Sequence, residues 1–161
     1  PGSRAIDEEI EQLLKTKRDA AVLHLDVLGF DAFADAVGFS RAEQVVTALG
    51  KSIVAAAREA SDGGAFVGHM GGSDFIAVVA QERAETLATG AIAAFADLQT
   101  THASILGDDG RLLAMVIAVA PTAGAASNDD IARRLGVAMK QAKHAGTAGY
   151  VTWSATASAA R

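Results

Sequence analysis

The stretch Gly71-Gly72-Ser73-Asp74-Phe75 lies between an apolar run that ends at Met70 and another over residues 75–80. Two glycines between such runs predict a tight β-hairpin, because glycine accepts the positive φ that hairpin turns need. The hairpin tip carries a carboxylate and free backbone N–H groups, a combination that can approach a phosphate. Position 73, where an acid would suit metal chemistry, is a serine. The stretch therefore predicts two paired strands and leaves open whether their turn supports any chemistry.

The segments on either side of the hairpin alternate between helical and strand patterns. Helical segments repeat apolar residues with a period near 3.6, and strand segments are short apolar runs. Ser40 with Glu43 forms a capping box that predicts the start of a long helix. Ser127 with Asp130 predicts the start of another. The patterns predict helices over residues 6–17, 30–37, 40–60, 82–101 and 127–145, and strands over 20–28, 65–70, 75–80, 112–119 and 150–153.

The order of these elements has a β-α-β-β-α-β unit at its centre, which is the split arrangement of ferredoxin-like folds. Consecutive strands joined by a tight turn must be antiparallel, and amphipathic helices must cover the sheet. The sequence therefore predicts an α+β fold, an α/β sandwich whose central sheet is flanked by helices.

Composition limits the classes of function that this chain can have. It has no cysteine, which excludes disulfides, a thiolate nucleophile and Cys-bound zinc. Its net charge of −5 and its aromatic content of 5% argue against nucleic acid and anionic membrane as partners. No apolar run reaches the roughly 18 residues of a membrane span, and no signal-peptide pattern is present. We therefore expect a cytoplasmic protein.

Four segments are predicted along the 161 residues. Residues 1–3 are interpreted as a cloning remnant, and residues 4–18 as an N-terminal helix with a solvated charged face. Residues 19–154 form the single globular domain expected for this length. Residues 155–161, rich in Ala, Ser and Thr, are predicted to be a flexible tail. The chain could be part of a longer protein.

Four motifs in order and at matching spacing resemble the GGDEF family, the diguanylate cyclase domains. Residues 25–30 (LDVLGF) resemble the family's L-D-I-D-x-F strand, and residues 31–43 follow where the family has K-x-x-N-D-x-x-G-H-x-x-G-D. Residues 71–75 fall on the signature G-G-[DE]-E-F. Residues 138–146 (AMKQAKHAG) resemble A-L-Y-x-A-K-x-x-G. The resemblance covers about residues 20–153 and implies the nucleotidyl-cyclase-like fold.

The resemblance also implies a reaction. Active domains of the family join two GTP molecules into cyclic di-GMP, with one GTP and two divalent metals held by each of two facing domains. The 3′-hydroxyl of one GTP attacks the α-phosphate of the other. Such chemistry needs acidic residues that hold metals against the developing charge.

Several positions keep the residue types that the resemblance assigns to the nucleotide site. Asp26 matches the metal-binding aspartate of the first strand, and Asp74 matches an acid of the signature turn. Lys143 matches a phosphate-reaching lysine, and Glu43 stands where the family has a guanine-contacting aspartate. The vestigial nucleotide site implied in this way consists of Asp26, Glu43, Gly71, Gly72, Ser73, Asp74 and Lys143.

Other positions depart from the family pattern. Ser73 replaces the metal-bridging acid, and Asp31 replaces a phosphate-contacting lysine, which turns attraction into repulsion. Ala34 replaces the guanine-reading asparagine. Leu28 replaces an aspartate, and Thr147 replaces a phosphate-side arginine. The resemblance therefore implies loss of metal, phosphate and base contacts.

The product-inhibition motif of the family is also changed. The family has R-x-x-D five residues before its signature turn, and this chain has Asp-Gly-Gly-Ala over residues 62–65. Neither charge is kept, so we do not expect cyclic di-GMP to bind there.

Each retained residue also has a purely structural interpretation. Asp26 could be a capped or surface carboxylate, and Lys143 a solvated helix lysine. Gly71 and Gly72 could serve only the turn. His24 and His69 are interpreted as packing or edge residues rather than ligands, and no Ser, His and acid are predicted to form a triad.

These observations lead to three hypotheses of function. The first is a catalytically inactive GGDEF domain that acts as a regulatory or protein-interaction module in bacterial signalling, through a protein partner or as a homodimer. The second is a sensor that binds GTP or a related nucleotide without turnover. The third is a weak or heteromeric cyclase. No catalytic residue, metal or cofactor is expected, with Mg²⁺ only if nucleotide binding remains and Asp26 and Asp74 as its vestigial ligands.

Overall fold

A computed structural model describes residues 1–62 and 64–158. The helices are α1 (Ser3–Lys15), α2 (Phe30–Val37), α3 (Phe39–Ser61), α4 (Ala84–Thr101), α5 (Ala103–Leu106), α6 (Asn128–Ala145) and α7 (Ala155–Ser158). The strands are β1 (Ala20–Leu28), β2 (Phe66–Gly71), β3 (Asp74–Ala80), β4 (Ala114–Pro121) and β5 (Gly149–Thr152). Short 3₁₀ turns occupy Gln81–Arg83 and Asp109–Leu112.

The strands form one five-stranded mixed sheet in the order β2-β3-β1-β4-β5. β1 is central and pairs antiparallel with both β3 and β4, and β5 joins β4 in parallel. β1 has neighbours on both edges and helices on both faces, which explains why it is apolar except at His24 and Asp26. The structure confirms the predicted α+β fold and its ferredoxin-like core.

Side chains of β1 alternate between the two faces of the sheet. Leu23 and Leu25 point into the larger core, which α3 and α4 cover. Val22 points to the opposite face, where Ile6 of α1 and Ile131 of α6 cover it. Because alternation along a strand has a period of two, His24 and Asp26 belong to the α1–α6 face. The strand period thus directs the polar residues of β1 towards α6.

The two predicted helix starts have different outcomes. Ser127 is the N-cap of α6, and its side chain accepts a hydrogen bond from the backbone N–H of Asp130, as predicted. The prediction that Ser40 and Glu43 form a capping box is wrong. α3 begins at Phe39 after Gly38, whose φ of 87° turns the chain sharply between α2 and α3, and no side chain caps this end. Ser40 therefore lies inside the first helical turn.

The short helix α5 was not predicted, and other differences lie at the ends of elements. β4 begins at Ala114 rather than residue 112, because residues 109–112 form a 3₁₀ turn. Residues 155–158, predicted to belong to a flexible tail, form the short helix α7, and residues 159–161 lie outside the described part. α1 begins at Ser3, and the backbone carbonyl of Pro1 accepts a hydrogen bond from the His69 N–H.

Within the described ranges, no helix combines the length and the apolar composition needed to cross a bilayer.

α1 packs against β2 through a close contact at Gly68. A methyl group added at Gly68 would lie 2.5 Å from Cγ1 and 2.8 Å from Cδ1 of Ile6, which is buried. Overpacking of this kind typically costs about 1–3 kcal/mol, and rotation of the Ile6 side chain would relieve part of it. We predict that Gly68→Ala lowers the free energy of unfolding by about 1–2 kcal/mol in urea titrations.

The comparison with two further variants isolates this contact. Ile6→Ala removes both clashing atoms, so Gly68→Ala should cost much less in that background. Gly136→Ala is the control, because Gly136 is exposed within α6 and an added methyl group there meets nothing within 4 Å. That control should stabilise the protein by about 0.5–1 kcal/mol. Equal costs of Gly68→Ala in both backgrounds would contradict the packing argument.

Candidate functional site

Three elements converge where β1 ends. The carboxyl-terminal half of β1 presents Asp26, the β2–β3 hairpin presents Ser73, and the last turn of α6 presents Lys143. Asp26 and Ser73 are buried, whereas the Lys143 side chain is 45% exposed. The structure therefore brings residues from distant parts of the sequence into one polar cluster on the α1–α6 face.

The carboxylate of Asp26 is engaged at both oxygens. Oδ1 accepts hydrogen bonds from the Val27 backbone N–H at 2.7 Å and from the Ser73 hydroxyl at 2.8 Å. Oδ2 lies 2.7 Å from the Lys143 ammonium. Aspartate is disfavoured within strands, and a buried carboxylate is stable only when charged or polar groups compensate it. These three donors explain why an acid is tolerated near the end of the central strand.

The protonation states of Asp26 and Lys143 follow from these contacts. Burial alone would raise the pKa of Asp26, but the hydrogen bonds from Lys143 and Ser73 and the Lys143 charge together hold that pKa below its ordinary value. The hydrogen bond to Asp26 raises the pKa of Lys143, against the opposing effect of partial burial, and the charges of Asp74 and Asp31 add to the rise. Both groups are therefore charged around neutral pH.

Asp74 is engaged by a different partner. Its Oδ1 lies 2.6 Å from Nε2 of His24, which projects from β1 on the same face of the sheet. The His24 side chain is 20% exposed and that of Asp74 is 42% exposed. Asp74 therefore lies at the edge of the cluster, with one carboxylate oxygen held by the neighbouring strand.

The turn is shorter than predicted, because each strand extends one residue further towards it. Gly71 pairs with Asp74 across the hairpin, so the turn residues are Gly72 and Ser73. Gly71 has a φ of 131° and Gly72 a φ of 53°, both in the region that favours glycine. His69 steadies this end of β2 by stacking on the Phe75 ring at 4.5 Å between centroids. The glycines are thus required by the turn, whatever else they contact.

Glu43 is not part of this cluster. It is exposed on α3, and α3 covers the opposite face of the sheet from α6. Asp31 and Thr147, which stand at two of the altered positions, are exposed. The structure therefore gathers Asp26, Ser73, Asp74 and Lys143, with the glycine turn beside them.

Comparison with known proteins identifies the family. A family model described as "Diguanylate cyclase, GGDEF domain" matches residues 2–148. The chain belongs to the GGDEF family. No curated protein matches its sequence.

Solved structures of GGDEF domains share the fold at low sequence identity. The active GGEEF domain of a diguanylate cyclase from Vibrio cholerae is similar, with a TM-score of 0.74 at 18% identity over 95% of this chain and 97% of that one. The GGDEF domain of YfiN (TpbB) from Pseudomonas aeruginosa gives 0.75 at 18% identity over 96% of both chains. The coiled coil and GGDEF domain of DgcB from Caulobacter crescentus, in complex with c-di-GMP, gives 0.73 at 17% identity over 94% of this chain and 80% of that one.

The residues at this GGDEF hairpin do not fit a pair of divalent metals. Among residues 1–62 and 64–158, no group of three or more His, Cys, Asp or Glu side chains is arranged to hold a metal ion. Hard divalent cations prefer several oxygen ligands that include carboxylates. Here one carboxylate oxygen of Asp26 faces an ammonium, and Ser73 offers a hydroxyl that donates to the other oxygen.

His24 is the residue that the sequence-based interpretation placed differently. It was interpreted as a packing or edge residue, and the structure pairs it with Asp74. The register of β1 and β3 sets this contact, since His24 pairs opposite Ile76, two residues beyond Asp74. Diagonal neighbours on one face of an antiparallel pair lie within reach of long side chains. The sequence alone does not give this register, so it could not predict that His24 and Asp74 lie on the same face of the sheet.

The lowered pKa of Asp26 predicts how the free energy of unfolding changes at acidic pH. A carboxyl whose pKa is lower in the folded state stabilises the fold above its unfolded pKa, and this contribution disappears as the pH falls through the folded pKa. At pH 7 we predict that Asp26→Asn lowers the free energy of unfolding by about 1–2 kcal/mol, a modest value because Lys143 is partly solvated. The difference from the unmodified protein should shrink below about pH 4.

Urea titrations at several pH values between 3 and 7 measure this effect. Asp97→Asn, at an exposed position of α4, is the matched control and should change stability little at any pH. A constant difference between the Asp26 variant and the unmodified protein down to pH 3 would contradict the assignment.

Proposed function

We propose that this GGDEF domain does not form cyclic di-GMP and instead acts as a regulatory or protein-interaction module. The observation that carries the proposal is the state of Asp26, whose two oxygens are engaged by groups of the chain itself. Joining two nucleotides through a 3′-hydroxyl attack needs metals that neutralise charge at the reacting phosphate. A carboxylate already neutralised by Lys143 is poorly suited to supply a metal ligand.

The residues around Asp26 support the same conclusion. Ser73 contributes a neutral hydroxyl where a metal pair would need a bridging charge. Asp31 is exposed in the first turn of α2 and close enough to influence Lys143, so its charge would repel a triphosphate. Two unit charges at about 4 Å interact by about 1 kcal/mol in water, and exchanging a lysine for an aspartate reverses the sign. These effects weaken metal and phosphate binding together.

A role in protein contacts is supported by the apolar side chains that remain exposed. Both faces of the sheet are covered, and the two cores use apolar side chains from every strand-covering helix. At the end of the sheet that carries the hairpin, Met70 is 50% exposed and Leu112 is 83% exposed. Exposed apolar side chains of this size are suitable contact points for a protein partner or a second copy.

Incubation with GTP and Mg²⁺ tests the proposal directly. We predict no cyclic di-GMP, measured by ion-exchange chromatography with mass spectrometry, under conditions in which the Vibrio cholerae GGEEF domain turns over. The same assay with both proteins mixed examines whether this chain supplies half of a shared site. Clear product formation by the purified chain alone would refute the proposal.

The second candidate function is nucleotide binding without turnover. It is favoured by Lys143, whose ammonium is only partly buried, and by Gly71 and Gly72, where even an added methyl group would meet nothing within 4 Å. These features leave room for a phosphate beside the turn. The alternative therefore differs from the first in one measurable quantity, the affinity for nucleotides.

Calorimetry with GTP, GDP, ATP and cyclic di-GMP measures that affinity. We predict dissociation constants weaker than about 1 mM for each, because repulsion from Asp31 opposes phosphate binding. Asp31→Lys should strengthen any residual GTP binding by roughly 10-fold or more, since it reverses that charge. Micromolar GTP affinity in the unmodified chain would favour the sensor function instead.

A further inference from the structure

We propose that the ammonium of Lys143 is the resident cation of this site and that it excludes divalent metals from Asp26. The inference rests on the proposed function. In the family pattern this lysine accompanies an acid at position 73, whereas here Ser73 is neutral and the ammonium of Lys143 balances the charge of Asp26. The inference assigns to Lys143 a role as an internal replacement for a metal ion rather than as a phosphate contact.

The position of Lys143 favours this role. Its Nζ lies 2.7 Å from Oδ2 of Asp26, within the range of a charge-assisted hydrogen bond. Lys143 belongs to the last turn of α6, where the helix dipole stabilises a positive charge. Asp74 and Asp31 add negative potential from the hairpin and from α2. The ammonium therefore stays charged, paired directly with Asp26 and favoured by two more distant acids.

A divalent metal is excluded from Asp26 for two reasons, the charge of Lys143 and the lack of a free carboxylate oxygen. A divalent cation near Oδ2 would lie within a few ångströms of the ammonium, and the two positive charges would repel each other. The other oxygen of Asp26 already accepts two hydrogen bonds, one from Val27 and one from Ser73. To bind Asp26, a metal would therefore have to displace Lys143.

Removing the ammonium should open a metal site. Lys143→Met keeps most of the side-chain volume and removes the charge, which leaves Oδ2 of Asp26 without a partner. Mg²⁺ and Mn²⁺ bind proteins through as few as one or two carboxylates while keeping several water ligands. Asp26, with Asp74 nearby, offers that minimum. We therefore expect weak but site-specific binding in the variant.

Paramagnetic broadening by Mn²⁺ tests the inference at the level of residues. In nuclear magnetic resonance titrations, the amide signals of Val27 and Ser73 should broaden in Lys143→Met at a Mn²⁺ concentration at least about 10-fold lower than in the unmodified protein. Lys140→Met is the matched control, because Lys140 is exposed one turn earlier on α6 and should leave the response unchanged. Lys143→Arg keeps a cation and should also exclude Mn²⁺.

Thermal unfolding provides a second measurement that does not depend on assignments. Millimolar Mg²⁺ should raise the midpoint of Lys143→Met more than that of the unmodified protein or of Lys140→Met, because a ligand stabilises the state that binds it. If Lys143→Met does not fold, Lys143→Gln replaces it in both measurements.

The outcomes separate this inference from the proposed function. Preferential broadening of Val27 and Ser73 in the unmodified protein at the same Mn²⁺ concentration as in the variant would overturn the inference. The inference would also be overturned if Lys143→Met and Lys143→Gln fold but bind Mn²⁺ and Mg²⁺ no more strongly than the unmodified protein. Neither result would show that the domain makes cyclic di-GMP. Only the GTP assay tests the proposed function.

Discussion

The ion pair between Asp26 and Lys143 is the contact on which the rest of the site depends. It joins the central strand to α6 across the smaller core, and it allows an acid to remain buried beside apolar neighbours. Removing Lys143 would leave the buried carboxylate of Asp26 without its compensating charge, whereas Lys143 itself is partly solvated. Ser73 completes the arrangement, because its hydroxyl binds the oxygen that Lys143 does not reach. The hairpin, the strand and the helix are therefore held together by one carboxylate.

Different features of the sequence determine the fold and the electrostatics of the site. The fold depends on apolar periodicity and on the glycine turn, and these remain close enough to the family pattern that structures at 14–18% identity superpose well. The site depends on a few polar side chains, among them Ser73, whose neutral hydroxyl binds Asp26. A nucleotidyl-cyclase-like scaffold can therefore persist while the chemistry proposed for it changes.

Much of the fold could be predicted because its signals are local. The strand over residues 20–28 and the helix over residues 30–37 match the structure at both ends, since a glycine separates the two elements. The start of α3 could not be predicted from Ser40 and Glu43, because the positive φ of Gly38 decides where that helix begins. A local capping pattern competes there with a chain reversal that depends on tertiary packing.

The site was less predictable for the same reason. Asp26, Ser73 and Lys143 were selected individually, but their mutual contacts depend on how α6 crosses the sheet. The pairing of His24 with Asp74 depends on the register of two strands, which a single sequence does not specify. Glu43, placed with the site by motif spacing, lies on a helix that covers the other face. Contacts between distant segments require the three-dimensional arrangement.

The close packing of Ile6 against Gly68 links the amino-terminal helix to the edge strand that leads into the turn. A rigid-body shift of α1 would be transmitted through this bare backbone position, because no side chain at 68 can deform to absorb it. Gly71 ends β2 beside Ser73, so one strand connects the contact with Ile6 to the hydroxyl that binds Asp26. The position of the amino-terminal helix and the environment of the buried carboxylate are therefore set through the same edge strand.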